Sequence, residues 1–406
     1  MIARISPRKL RGTVAAIPSK SEAHRALICA ALADKPTEIL MGASSEDIDA
    51  TIRCLTAFGA KIERTERGLR VEPITETPAA CDADCGESGS TLRFLLPVAG
   101  ALGIDARFHM RGRLPDRPIA PLDRELTRGG CELTRPARDM LRIRGKLLPG
   151  HYELPGNVSS QYISGMLFAF PIIGDSTLAL NGHVESIGYI GMTIHTLARF
   201  KVTTRMTHSG YRIDPGDHYV SPSELRVGGD WSNAAFWICA DALPDCEVRV
   251  TGLDAVSAQG DSRIVHEVSM LRKDEFYSLD AKDIPDLVPI LAATACARGR
   301  SMQVFNAARL RIKESDRIAS VARALNALGG AVSETAEGLI VAPGHALKGG
   351  EVDAAGDHRI AMMAAIASCA CAGEVIIRGA EAVNKSYPGF WRDFENLGGC
   401  VELTEV

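Results

Sequence analysis

Six times along the 406-residue chain a short polar cap opens an apolar helix rich in Ala and Leu. Ser19-Lys20-Ser21 precedes the run 26–33, Ser88-Gly89-Ser90-Thr91 precedes 92–102, and Ser159-Ser160-Gln161 precedes 162–173. Trp231-Ser232-Asn233 precedes 234–243, Ile284-Pro285-Asp286 precedes 287–297, and Gly356-Asp357-His358-Arg359 precedes 360–372. Measured from Ser19, Ser88, Ser159, Ser232, Asp286 and Asp357, the spacings are 69, 71, 73, 54 and 71 residues, so only the fourth is short. A second helix recurs within the units and ends in Gly before a pair of alternating strands, as at Gly59, Gly129, Gly329 and Gly398. A period of this length marks a chain assembled from repeats. The unit reads α, β, α, β, β.

A chain this long divides most simply into two domains of three units, with the break near 227–230. Helices that are apolar on most sides should be buried, with sheets packed round them. The fold class is therefore α/β (α+β), two domains of three βαβαββ-type units whose parallel helices are surrounded by sheets. Parallel helices bring their N-termini to one face. Two such faces opposed make a cleft floored by positive helix ends, where an anion is favoured.

Composition narrows the ligand. The net charge is −4, so there is no general basic surface for nucleic acid, and an anionic ligand must be held by local clusters. Eleven Cys are scattered without zinc-site spacing. No secretory segment is visible at the start, and no apolar run reaches membrane length. These features predict a cytoplasmic protein with reduced thiols, no metal and no membrane contact.

The densest local cluster is Arg309-Leu310-Arg311-Ile312-Lys313-Glu314-Ser315-Asp316-Arg317, followed by apolar positions at helical spacing. Ser315 or Asp316 is a good N-cap, so the charges lie on a loop and a first helical turn. Other caps carry similar chemistry. Lys20 and Arg25 flank the first, Gly89 sits in a hydroxyl-rich loop, and Arg117 lies in a Pro-constrained loop with Arg111 and Arg113. Ser159, Ser160, Gln161 and the later Ser186 suit a phosphorylated polyol. Asp286 reads as the cap of its helix or as a general base, and Glu314 is the other candidate acid/base. Arg359 and Lys385 add cations at a helix start and before a Pro turn.

In this order, Ser-Lys-Ser with Arg25 behind it, Leu-Pro-Asp-Arg-Pro-Ile, Val-Ser-Ser-Gln, Ile-Pro-Asp, Arg-Ile-Lys-Glu-Ser-Asp-Arg, Asp-His-Arg and Lys-Ser-Tyr-Pro resemble the 5-enolpyruvylshikimate-3-phosphate synthase family from about Ile5 to Phe394. The resemblance implies an inside-out α/β barrel fold. The domains would be 14–228, and 1–13 plus 229–406, with the active site in the cleft between them. It implies transfer of the enolpyruvyl group of phosphoenolpyruvate to the 5-hydroxyl of shikimate 3-phosphate, through a tetrahedral intermediate, by a monomer without metal or organic cofactor. The shikimate 3-phosphate side would use Ser21, Arg25, Ser159, Ser160, Gln161, Ser186, Asp286, Arg309 and Lys313. The phosphoenolpyruvate side would use Lys20, Gly89, Arg117, Gln161, Arg317, Arg359 and Lys385. Asp286 would be the base, with Glu314 and Lys20 as proton donors.

Some positions depart from the commonest pattern of that family. Glu87 stands where Asn is frequent, and an acid there should weaken anion binding unless it points away or caps a backbone group. Ser90 replaces a more usual Thr. The stretch 271–282 is shortened, which predicts a fifth unit lacking a helix turn and part of a strand pair. A sister family acting on UDP-N-acetylglucosamine has Asn after the first Lys and usually a Cys in the loop matching 111–119. Here Ser21 follows Lys20 and that loop has no Cys. A non-catalytic relative would be expected to lack Asp286 or Glu314, and both are present.

Overall fold

The first helix begins at Lys20 because the Ser19 side chain accepts from the Glu22 N–H. The same device recurs. Ser88 accepts from Thr91 N–H to open Gly89–Leu102, and Ser159 from Gln161 N–H to open Ser160–Ile173. Asp357 accepts from Arg359 N–H to open His358–Ala367, and Asp230 from Asn233 N–H to open Trp231–Asp241, so the fourth cap is Asp230 and the expected cap 231–233 is already the first helical turn. Each side chain satisfies one of the backbone donors that a helix start leaves without a partner. The fifth start differs. Asp286 is no N-cap: it lies inside a 3-10 turn, Pro285–Leu287, and the helix Val288–Ala297 follows without a side-chain cap. This frees the Asp286 carboxylate from the cap role the sequence suggested.

The structure, a computed structural model, describes residues 1–405. The chain divides into two units, Pro18–Gly228, and Met1–Ile17 with Gly229–Val406. Each has its own apolar core. In Pro18–Gly228 the core is centred on the helices Lys20–Ala31, Gly89–Leu102 and Ser160–Ile173. The last two cross closely at Gly165, where a Cβ would stand 2.4 Å from the Arg93 carbonyl and 3.1 Å from Pro97. In the other unit the helices Trp231–Asp241, Val288–Ala297 and His358–Ala367 hold the centre, with Trp237 stacked on Phe390 at 5.0 Å. None of the helices among the described residues is long and apolar enough to cross a membrane.

Five of the six sheets share one strand order. In each, a parallel pair is extended by an antiparallel strand and closed by a hairpin or its equivalent. An example is Ala80–Asp84 beside Asp105–His109, then Met140–Gly145 and Cys131–Ala137. Distant segments complete the sheets. Glu224–Arg226 pairs with Thr37–Leu40, and Ile2–Ser6 lies between Val375–Arg378 and Cys400–Thr404.

The sixth sheet has only Arg11–Ala15 and Glu247–Thr251. The shortening expected of the fifth unit therefore falls on the fourth. The helix Ile264–Lys273 runs almost directly into Phe276–Asp280, the first strand of the next sheet, with no hairpin between them. The fifth unit has its full four strands. Where the missing strand would pair, Asp241 accepts from the Val248 N–H at 3.1 Å and is held by Arg272 at 2.8 Å. A charged pair thus blunts this edge against pairing with another chain.

Candidate active site

In Pro18–Gly228 the helix starts are tied together by hydroxyls. Thr51 Oγ1 lies 2.7 Å from both His24 Nδ1 and Thr91 Oγ1, and Thr91 Oγ1 lies 2.7 Å from Ser88 Oγ. Burial, then Lys20 and Arg25, push the His24 imidazole well below its usual value, so it stays neutral here. Lys20 Nζ reaches Asp47 Oδ2 at 2.9 Å. Across the helix crossing, Gln161 donates to Ser90 Oγ at 2.9 Å and accepts from Arg93 Nη1 at 3.2 Å. Arg117 comes to the same place. A Cβ on Gly89 would meet Arg93 Nη1 at 2.4 Å and Arg117 Nη1 at 2.7 Å, so both guanidinium groups lie against this glycine. Gly89, Arg117 and Gln161 thus meet around Arg93, and Lys20 joins them through Asp47, whose carbonyl accepts from Thr91 Oγ1 at 3.5 Å.

Arg25 joins a second group. Its Nη1 donates to Ser21 O at 2.6 Å, its Nη2 to Tyr189 O at 2.9 Å and its Nε to Thr193 Oγ1 at 2.8 Å. The guanidinium lies over Phe94, 5.0 Å from the ring centre. Burial pushes Arg25 down to about 10. Ser186 is buried at the start of Ile187–Arg199 in a left-handed conformation, and its carbonyl accepts from Tyr189 N–H at 3.0 Å. Arg25 therefore couples Ser21 to the Ser186 turn. Ser159 spends its hydroxyl as the cap for Gln161, and Ser160 is buried beside it. The Glu87 carboxyl packs against Gly112, its atoms 2.3 to 2.6 Å from where a Cβ there would stand.

In the other unit Arg317 is the hub. It donates from Nε to Asp357 Oδ2 at 2.8 Å, from Nη1 to Asp286 Oδ1 at 2.6 Å and from Nη2 to Glu314 Oε2 at 2.7 Å. Arg359 donates to Asp286 Oδ2 at 3.1 Å, to the Asp286 carbonyl at 3.0 Å and to Ser232 Oγ at 2.6 Å. Lys313 Nζ stands 4.0 Å from Asp286. Burial alone would raise the Asp286 carboxyl, but Arg359, Lys313 and Arg317 outweigh it and hold Asp286 well below the usual carboxylate range. Burial opposes the Arg317 charge too, yet Asp357, Glu314 and Asp286 hold that guanidinium well above its ordinary value. Burial pulls Lys313 down to about 8, against the opposing effect of Asp286.

Two predicted residues stand at the edge of this cluster. Arg309 donates to the Lys282 carbonyl at 2.8 Å, and Lys385 to the Gly356 carbonyl at 2.8 Å, one residue before Asp357. The N-cap of the Arg317 helix is Asp316, which accepts from Ala319 N–H at 3.1 Å. No group of three or more His, Cys, Asp or Glu among the described residues is arranged to hold a metal ion.

Gathered arginines and lysines at helix starts are a design for small, highly charged anions, and comparison with known proteins decides which family uses it here. The family model for EPSP synthase (3-phosphoshikimate 1-carboxyvinyltransferase) matches residues 5–394. The chain belongs to the EPSP synthase family. A 3-phosphoshikimate 1-carboxyvinyltransferase of Clostridium kluyveri is 39% identical, covering 99% of this chain and 98% of its own. One from Clostridium novyi is 38% identical over 98% of each. Among solved structures, an EPSP synthase from Acinetobacter baumannii superposes with a TM-score of 0.82 at 22% identity over 100% of both chains. The enolpyruvyl transferase NikO from Streptomyces tendae gives 0.74 at 17% identity, over 100% of this chain and 99% of that one. These two likenesses show the shared fold.

Within this EPSP synthase family chain, sequence reading missed four residues that hold the named ones in place: Asp47, Arg93, Ser232 and Asp357. Asp357 is the plainest case. It is fully buried, caps its helix, and accepts from both Arg317 and Ser315. Its motif was visible as Asp-His-Arg, and the cap position was a signal that its carboxylate points inward.

Proposed function

We infer that the chain catalyses 3-phosphoshikimate 1-carboxyvinyl transfer, in which phosphoenolpyruvate and shikimate 3-phosphate give the 5-enolpyruvyl product and inorganic phosphate. The observation that supports this best is the convergence of Lys313, Arg317 and Arg359 on one carboxylate, Asp286, in a family whose curated members carry that name. Two multiply charged anions must meet, and cations fixed by packing offset their repulsion without reorganising.

The reading assigns Lys20, Gly89, Arg117, Gln161, Arg317, Arg359 and Lys385 to phosphoenolpyruvate. It assigns Ser21, Arg25, Ser159, Ser160, Gln161, Ser186, Asp286, Arg309 and Lys313 to shikimate 3-phosphate. In the addition step the 5-oxygen bonds to C2 of phosphoenolpyruvate and loses its proton, while C3 gains one. In the elimination step phosphate leaves C2 and C3 gives a proton back, restoring the double bond. Asp286 takes the hydroxyl proton, and Lys20 and Glu314 deliver protons to C3 and to the departing phosphate. The same reading makes the protein a cytoplasmic monomer, in keeping with its free cysteines, nine of which are buried.

The test is phosphate release from phosphoenolpyruvate with shikimate 3-phosphate or UDP-N-acetylglucosamine as acceptor. Release with shikimate 3-phosphate alone is expected, and release only with the nucleotide sugar would overturn the reading. Asp286→Ala should abolish turnover with the fold intact, and near-wild-type activity would remove Asp286 from the mechanism.

A further inference from the structure

Arg317 and Arg359 are assigned above to phosphoenolpyruvate, yet in the structure both already hold carboxylates. The three acids round Arg317 are not equivalent. Asp357 is 0% exposed and is anchored as helix cap, as acceptor from Ser315 and as acceptor from Arg317 Nε, with a longer contact of 3.3 Å from Arg317 Nη2. Asp286 and Glu314 are 17% and 20% exposed, so each has a route to solvent. Between them they place one oxygen on each terminal nitrogen of Arg317, at 2.6 and 2.7 Å. One bidentate carboxylate presents its two oxygens to a guanidinium fork in this way. The Nε of Arg359 is buried without a hydrogen-bond partner, so this second cation is not saturated either.

We propose that Asp286 and Glu314 are internal stand-ins for the substrate carboxylate: the incoming anion takes over the two terminal nitrogens of Arg317, and both side chains are released to carry protons. This rests on the functional reading given above. Exchanging one carboxylate for another keeps the buried guanidinium neutralised throughout, which its burial demands. Asp357 stays in place and keeps the fork aimed. Release also changes the chemistry of Asp286. While Arg359, Lys313 and Arg317 face it and outweigh Glu314, it is a poor base. Once the anion has taken up part of that positive charge, its basicity rises. Binding the enolpyruvyl donor and arming the base thereby become one event, and Asp286 is not ready to deprotonate a hydroxyl before the donor has arrived.

The experiment is calorimetric titration of the full chain with phosphoenolpyruvate alone. Glu314→Gln and Asp286→Asn each remove one internal competitor while keeping its shape. Each is expected to bind at least threefold tighter than wild type, although turnover falls. Asp357→Asn should bind more weakly, because the fork loses its anchor. Tighter binding in one of the two alone assigns the exchange to that carboxylate. Unchanged, weaker or undetectable binding in both overturns the proposal, with thermal melts confirming that the variants are folded. Wild-type chain that shows the affinity shifts but never turns over shikimate 3-phosphate would overturn the functional reading and leave the exchange standing.

Discussion

Arg25 and Arg317 are buried alike, 2% and 1% exposed, and their charges are displaced in opposite directions. Arg25 is held by one hydroxyl, two carbonyls and the face of Phe94. Such neutral acceptors orient a guanidinium without cancelling it, and burial pushes it down to about 10. Arg317 is held by three carboxylates that more than offset the same burial. Burial sets the penalty on a charge, and the partner decides the sign of the outcome. The first arrangement leaves the guanidinium charge uncancelled, and the second sets it among internal ion pairs.

The strongest way to break this contrast is to remove each arginine. Arg317→Met would leave Asp286, Glu314 and Asp357 without their shared cation. A loss of about 3–5 kcal/mol in denaturant unfolding is expected, the usual cost of stranding a buried charge, together with loss of turnover. Arg25→Met strands only a hydroxyl and two carbonyls, so its cost should be smaller, about 1–3 kcal/mol. Equal costs would show that the carboxylates do not depend on Arg317.

Gly89→Ala sharpens the comparison in the first unit. A Cβ at that position reaches the tips of Arg93 and Arg117, which are flexible enough to move. The fold should survive, and KM for phosphoenolpyruvate should rise about tenfold, the worth of one charge-assisted contact. Steady-state kinetics showing an unchanged KM would take Arg117 out of the donor site.

The smallest effect is a pH dependence. Lys313 titrates near 8, so its charge is lost as pH rises through that value. KM for shikimate 3-phosphate should climb roughly fourfold between about pH 7 and 8.5, following the fraction of ammonium left. A Lys313→Arg variant should show a flat profile, and a wild-type profile equally flat would place Lys313 away from the phosphate. The sign for stability is opposite. The folded value lies below the ordinary lysine value of 10.5, so the unfolded chain binds more protons between the two, and this group's contribution to stability grows with pH across that window.

Much of the site was legible as motifs. Lys20, Gly89, Gln161, Asp286, Glu314, Arg317 and Arg359 could be named from helix starts and their order along the chain. Their partners could not. Lys20 meets Asp47 across 27 residues, Arg93 meets Gln161 across 68, and Arg359 meets Ser232 across 127. Nothing in a local window ranks one acid over another as the acceptor for a given cation. Asp286 shows the same limit from the other side: Ile-Pro-Asp before an apolar run looks like a cap, and only Arg317 and Arg359 show where its carboxylate goes.

By itself the sequence determined the repeat, the apolar helices and four of their six caps, because these depend on periodicity and on hydrogen bonds spanning two to four residues. The tertiary structure alone decided which acid neutralises which cation. It also decided that the shortened stretch costs the fourth unit its hairpin and leaves the fifth complete. Both are questions of pairing between segments far apart in the chain. A short spacing shows that residues are missing, but only the strand partners show which sheet goes without them.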